Sequence, residues 1–78
     1  MTPTIAIIAL RSLGMLFGLQ GQPKAATSLG LLADGLESGA NVDAHMAAVA
    51  IALKSGSPLD WEDVHKRITA DSARLQGH

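Results

Sequence analysis

The 78-residue chain has no cysteine. That excludes a disulfide staple, a thiolate metal ligand and a thiol nucleophile. It has no tyrosine, and Phe17 and Trp61 are its only aromatics. A domain this short buries a modest share of its surface, and aromatic side chains would bring the largest areas to a core. The remedies left to a small chain without disulfides are a metal or association with other chains. No charge of one sign accumulates: Lys+Arg 6 stand against Asp+Glu 7, a net charge of −1. Lys66 and Arg67 are the only adjacent basic pair, so the clustered cations that neutralise phosphates are missing and no nucleic-acid partner is expected. No run alternates with period two. There is no Gly-x-Ser-x-Gly elbow, phosphate loop or dinucleotide fingerprint. The expectation is a protein that is not an enzyme, with no catalytic residue, cofactor or metal ligand.

What the chain does have is small and aliphatic. Its hydrophobic 47% is mostly Ala, Leu, Ile and Val, which lets helices approach closely while each residue buries little. Gly and Pro punctuate one domain, residues 1–78, into four helical segments. The first, about 3–20, opens with Thr2 as N-cap and Pro3 at the first helical position. Ile8, Met15 and Leu19 belong to apolar positions that wrap most of its circumference, the mark of a helix buried all round or lying in lipid. The second, about 23–38, carries Ala25, Leu29, Leu32, Leu36 and Gly39 at steps of four and three, a heptad-like seam. In the third, about 41–55, Asn41 is the N-cap and Val42, Met46, Val49 and Leu53 repeat that spacing. The fourth, about 58–76, begins Ser57-Pro58-Leu59-Asp60, with an N-cap, a first-turn proline and acidic charge suited to the helix dipole. Trp61, Val64, Ile68 and Leu75 mark its apolar face. The fold class is therefore all-α: a small antiparallel bundle, or hairpins, of three to four helices that oligomerise. The short connections favour antiparallel neighbours. Segments two and three have an alternative, one longer helix kinked at residues 39–41. The loop 21–23 either reverses the chain or kinks it.

Two constellations carry rival chemistry. Glu62 and His65 are spaced i, i+3, as in carboxylate-bridged di-metal bundles, and a dimer would add two copies of Glu37. The simpler account is a carboxylate favoured in a first turn, with His65 one turn on by coincidence. Asp43 and His45 are two apart and share no helix face. His78 is terminal and expected to be disordered. Trp61 reads as a local core anchor, with a binding hot spot as its alternative. Gly14 and Gly18 form a Gly-x-x-x-Gly inside an apolar stretch of about 18 residues, close to membrane-spanning length. Arg11 near its middle opposes insertion by about 2.5–3.5 kcal/mol. The same Arg11 falls inside the apolar region instead of before it, which argues against a secretory signal.

The closing segment, Gly56-Ser57-Pro58-Leu59-Asp60-Trp61-Glu62-Asp63-Val64-His65 on to Ser72-Ala73-Arg74-Leu75, resembles small helical accessory proteins encoded by tailed bacteriophages. The resemblance covers the last third of the chain and loosely the middle third. It implies a virion or assembly component present in many copies, located in the virion or host cytoplasm, whose partners are itself and other virion proteins. It carries over no catalytic residue. The apolar first segment departs from that pattern and keeps a holin-like membrane protein as the alternative. A dimeric di-metal oxidoreductase is the remote one. In the leading reading the two seams carry packing within and between chains, and segment one is central to the assembly.

Overall fold

The computed structural model describes residues 3–76, and among them the regular structure is entirely helical: α1 Pro3–Leu19, α2 Pro23–Ser38, α3 Asp43–Ser55, α4 Pro58–Ala70 and α5 Ser72–Leu75. Thr2 and His78 lie outside the described residues.

The connection at residues 20–22 reverses the chain. Gly21 takes φ 79°, a left-handed conformation that a Cβ would oppose. Its N–H donates to the Gly18 carbonyl at 3.2 Å, and the Gln22 N–H to that of Phe17 at 2.9 Å. This pair of bonds is a Schellman motif, which satisfies two of the carbonyls orphaned at a helix end. Gly39 repeats the device at φ 81°, with the Gly39 N–H on Leu36 and the Ala40 N–H on Gly35. Helix α2 therefore stops, and the long kinked helix through residues 39–41 does not form. Asn41 does cap, from one position further out: its Oδ1 accepts the Asp43 N–H at 3.0 Å, while Val42 holds the N-cap backbone. Ser57 caps α4 as its sequence requires, accepting the Leu59 N–H at 3.3 Å.

The helices stand side by side in the order α1, α2, α4, α3, with α5 folded onto α2. Arg11 meets Asp34 and Glu37, so α1 and α2 run antiparallel. Lys24 meets Glu62 near the starts of α2 and α4, so these two run parallel. His45 early in α3 meets Asp71 just after α4, so that pair is antiparallel. Helix α2 is thus central. Ala25, Ser28, Leu29, Leu32, Ala33 and Gly35 are all buried. The Ser28 hydroxyl is satisfied by donating to the Lys24 carbonyl at 2.7 Å, and no buried side-chain polar atom among the described residues lacks a partner.

Three expectations change. Helix α1 is not buried all round within the chain; it lies at the edge, packed chiefly on α2. In α3 the inward line is Val42, His45, Val49 and Ala52. Ala52 is fully buried while Leu53 is 43% exposed, because steps of three, four and three follow the face that meets α4. The fourth segment is two helices, broken at Asp71. Asp71 leaves helical geometry at φ −104°, ψ 9°, and the turn aims Leu75 onto α2. Leu75 becomes fully buried, and its carbonyl accepts the Ser38 hydroxyl at 2.8 Å.

Candidate interaction surface

Helix α1 has two apolar faces pointing in opposite directions. The inner one carries Leu10, buried, with Ile7, Leu13 and Phe17 packed against the core. Gly14 and Gly18 belong to the flank that meets α2. A Cβ at Gly14 would come within 3.3 Å of the Ala26 carbonyl oxygen, and one at Gly18 within 3.7 Å of the Ala26 Cβ. The Gly-x-x-x-Gly spacing is therefore used inside the chain, to bring α1 and α2 close. The Phe17 and Trp61 rings pack at 5.1 Å between centroids with a 57° tilt, a favoured aromatic geometry. Trp61 is 3% exposed, so it is the core anchor and no surface hot spot.

Among the described residues nothing covers the outer face. Ile5, Ile8, Met15, Leu16 and Leu19 are 48–86% exposed. They follow one another at helical spacing, so they form one strip along a helix about 25 Å long. Single exposed aliphatics are ordinary, but a contiguous strip of them marks an association surface. A smaller exposed pair, Ile51 and Leu53, lies on α3.

Arg11 borders the strip. Its guanidinium lies 3.0 Å from Asp34 Oδ1 and 2.9 Å from Glu37 Oε1. Hydrogen bonds to Glu37 first and Asp34 second raise its already high pKa. The charge in the middle of the apolar segment is thus a clamp between α1 and α2. Among the described residues no helix is long and apolar enough to cross a membrane.

The strip was only half visible beforehand. Ile8, Met15 and Leu19 lie on it, whereas Leu29, Leu32, Val42, Val49, Trp61, Val64 and Ile68 are buried within the chain, with Leu36 and Met46 half-buried against them. A charge placed at Leu32 or Val49 therefore tests folding, not association. Ile5 and Leu16 were missed as surface residues. The signal for them was a first helix apolar on more sides than one neighbour can cover.

Within the chain, the residues of the remote di-metal alternative are dispersed. Glu62 pairs with Lys24 at 3.5 Å, Glu37 with Arg11, and His65 Nδ1 lies 3.5 Å from the Thr69 hydroxyl. No group of three His, Asp or Glu suited to a metal occurs among the described residues. Instead, Asp71 joins His45 Nε2 at 3.0 Å and Arg74 Nε at 3.0 and 3.1 Å. The Arg74 hydrogen bonds first, and the His45 contact second, hold the Asp71 carboxyl down at about 2. This cluster ties α3 to the α4–α5 break. Compared with known proteins, the chain matches no protein-family model, no curated protein and no solved structure.

Proposed function

We propose that this protein is a non-enzymatic structural module that assembles with copies of itself, through the outer face of α1. The observation that carries this reading is the uncovered strip of Ile5, Ile8, Met15, Leu16 and Leu19. An apolar strip on a folded chain is removed from water by a partner, and burying each large aliphatic side chain contributes about 1.5–3 kcal/mol. The likeness of the closing segment to phage accessory proteins supports a many-copy setting, a virion or its assembly. The short helices and the internal use of Gly14 and Gly18 speak for a protein partner over a holin-like role in lipid.

Light scattering behind size exclusion, on protein prepared without detergent, tests it. The expected result is a discrete oligomer that becomes a monomer on Ile8→Glu with Leu19→Glu, at unchanged helicity. Both positions are exposed, so folding is not at stake. An oligomer that survives the double substitution, or protein found only in the membrane fraction, overturns the reading.

A further inference from the structure

Nothing in the local sequence ends α4 at Ala70. No glycine or proline stands between Leu59 and Gln76. Asp71 is of a residue type that caps helices well, yet its side chain makes no cap bond to α5. The carboxylate is engaged elsewhere, by His45 Nε2 from α3 at 3.0 Å and by Arg74 Nε from α5. Beyond the turn, α5 packs on α2 more than on α4. Leu75 is its one buried residue, seated over Gly35, and the Leu75 carbonyl accepts the Ser38 hydroxyl at 2.8 Å. The turn is therefore made by contacts with other elements, not by the chemistry of the turn itself.

We infer that α5 is a strap hinged at Asp71, which opens from α2 by itself while the body of the chain stays folded, and that the contact between Asp71 and His45 latches it shut. The inference does not depend on self-association. A segment opens locally when few buried contacts hold it, and α5 is held by one aliphatic side chain, one carbonyl and one carboxylate. Four residues are too few to keep a helix in water alone, so the undocked strap unwinds. Opening uncovers both Leu75 and the notch at Gly35, an apolar surface that the closed chain hides.

His45 is the group that makes the latch. A carboxylate can only accept, so His45 Nε2 carries the proton and donates to Asp71. Arg74 also holds Asp71, but it belongs to the strap and ties the hinge to nothing else. The other charges around the hinge are engaged: Asp34 and Glu37 of α2 by Arg11, and Arg67, one turn before Asp71, by Asp63 at 2.9 Å. His45 thus anchors the hinge to α3.

Amide hydrogen exchange read by NMR in rising sub-denaturing urea tests this. The Leu75 N–H donates to the Asp71 carbonyl at 3.2 Å and the Gln76 N–H to the Ser72 carbonyl at 2.9 Å, so both report the strap. Ile68, fully buried in α4, reports the body. Urea acts in proportion to the surface that an opening exposes, and a strap exposes little. Exchange at Leu75 and Gln76 is expected to be at least about tenfold faster than at Ile68 and flat in urea, while Ile68 accelerates steeply. In the flat range His45→Ala is expected to speed Leu75 and Gln76 by about three- to tenfold. His45→Gln, whose amide can donate as Nε2 does, is expected to restore most of the protection. Asp71→Asn, close to the native side chain in size, is the second variant should His45→Ala fail to fold, and the same acceleration is expected of it. One urea slope shared by all three amides means that α5 leaves only when the chain unfolds, and overturns the inference. So does a strap whose exchange these substitutions leave unchanged, which is the ordinary fraying of a chain end.

Discussion

Among the described glycines, Gly35 leaves the least room for a side chain. A Cβ there would sit 2.8 Å from Leu75 Cδ2 and 3.0 Å from Val42 Cγ1. Gly35 faces both because α2 is the central helix, with Leu75 and Val42 converging on its last turns. Alanine would ordinarily stabilise a helix interior by about 1 kcal/mol relative to glycine. Here Leu75 is fully buried and Val42 is 3% exposed, so neither can retreat into solvent. Gly35→Ala is expected to destabilise the fold by about 1–3 kcal/mol, the usual result of overpacking, as measured by urea denaturation followed by the fluorescence of Trp61. Gly30 is the control: nothing lies within 4 Å of a Cβ there, so Gly30→Ala keeps the propensity gain. Equal gains at both sites would show that the approach of Leu75 to α2 is not tight in solution.

At the scale of elements, the helices were legible in the sequence and their arrangement was not. Each of the first four has a local start or stop signal: Gly21, Gly39 and Gly56 behind α1, α2 and α3, and Ser57 and Pro58 ahead of α4. Local signals of that kind act before any tertiary contact. That α2 lies beside α4 instead of α3 depends on Leu29 and Leu32 sharing one buried cluster with Trp61, Val64 and Ile68, far apart in the chain and unmarked by spacing. The α4–α5 break was equally hidden. Ser72, Ala73 and Leu75 continue a helical pattern, and only the pull of His45 and Arg74 on Asp71 and the burial of Leu75 explain the turn. The outer strip of α1 falls between these cases. Its residues were legible as apolar, while which of them the chain itself would cover depended on α1 sitting at the edge.

The Asp71 cluster makes that break sensitive to acid. Its folded value of about 2 lies below the ordinary 3.8, so the carboxylate binds its proton more weakly when folded. A depressed carboxyl contributes stability that is complete above the ordinary value and fades as pH falls toward the folded one. The window is therefore about pH 4 down to pH 2, with stability decreasing as acid is added. Asp71 is a third exposed, so solvent and salt screen the effect. Asp71→Asn is expected to flatten this part of the profile relative to the unchanged protein, in urea midpoints measured at successive pH values. A slope left intact in the variant would assign the acid response to another carboxylate.

For the whole molecule, the proposed association would add to the stability of a chain that already folds. An 8.0 kDa chain with two aromatic residues has a thin core, and α1 contributes only one of its faces to it. If the outer face is covered by a second copy, the folded state is stabilised by association, and the unfolding midpoint depends on protein concentration. A tenfold rise in concentration favours each chain of a dimer by about 0.7 kcal/mol, half of the 1.4 kcal/mol that a factor of ten represents. For a domain of this size that amounts to about 3–5 °C in Tm. Thermal melts across two decades of concentration are expected to show that rise at each decade, and melts of the Ile8→Glu and Leu19→Glu double variant to show none. The rise should also be nearly indifferent to salt, since apolar burial is not screened while surface ion pairs are. A midpoint fixed at all concentrations would mean that the chain holds α1 without a partner. The exposed strip would then add nothing to its stability.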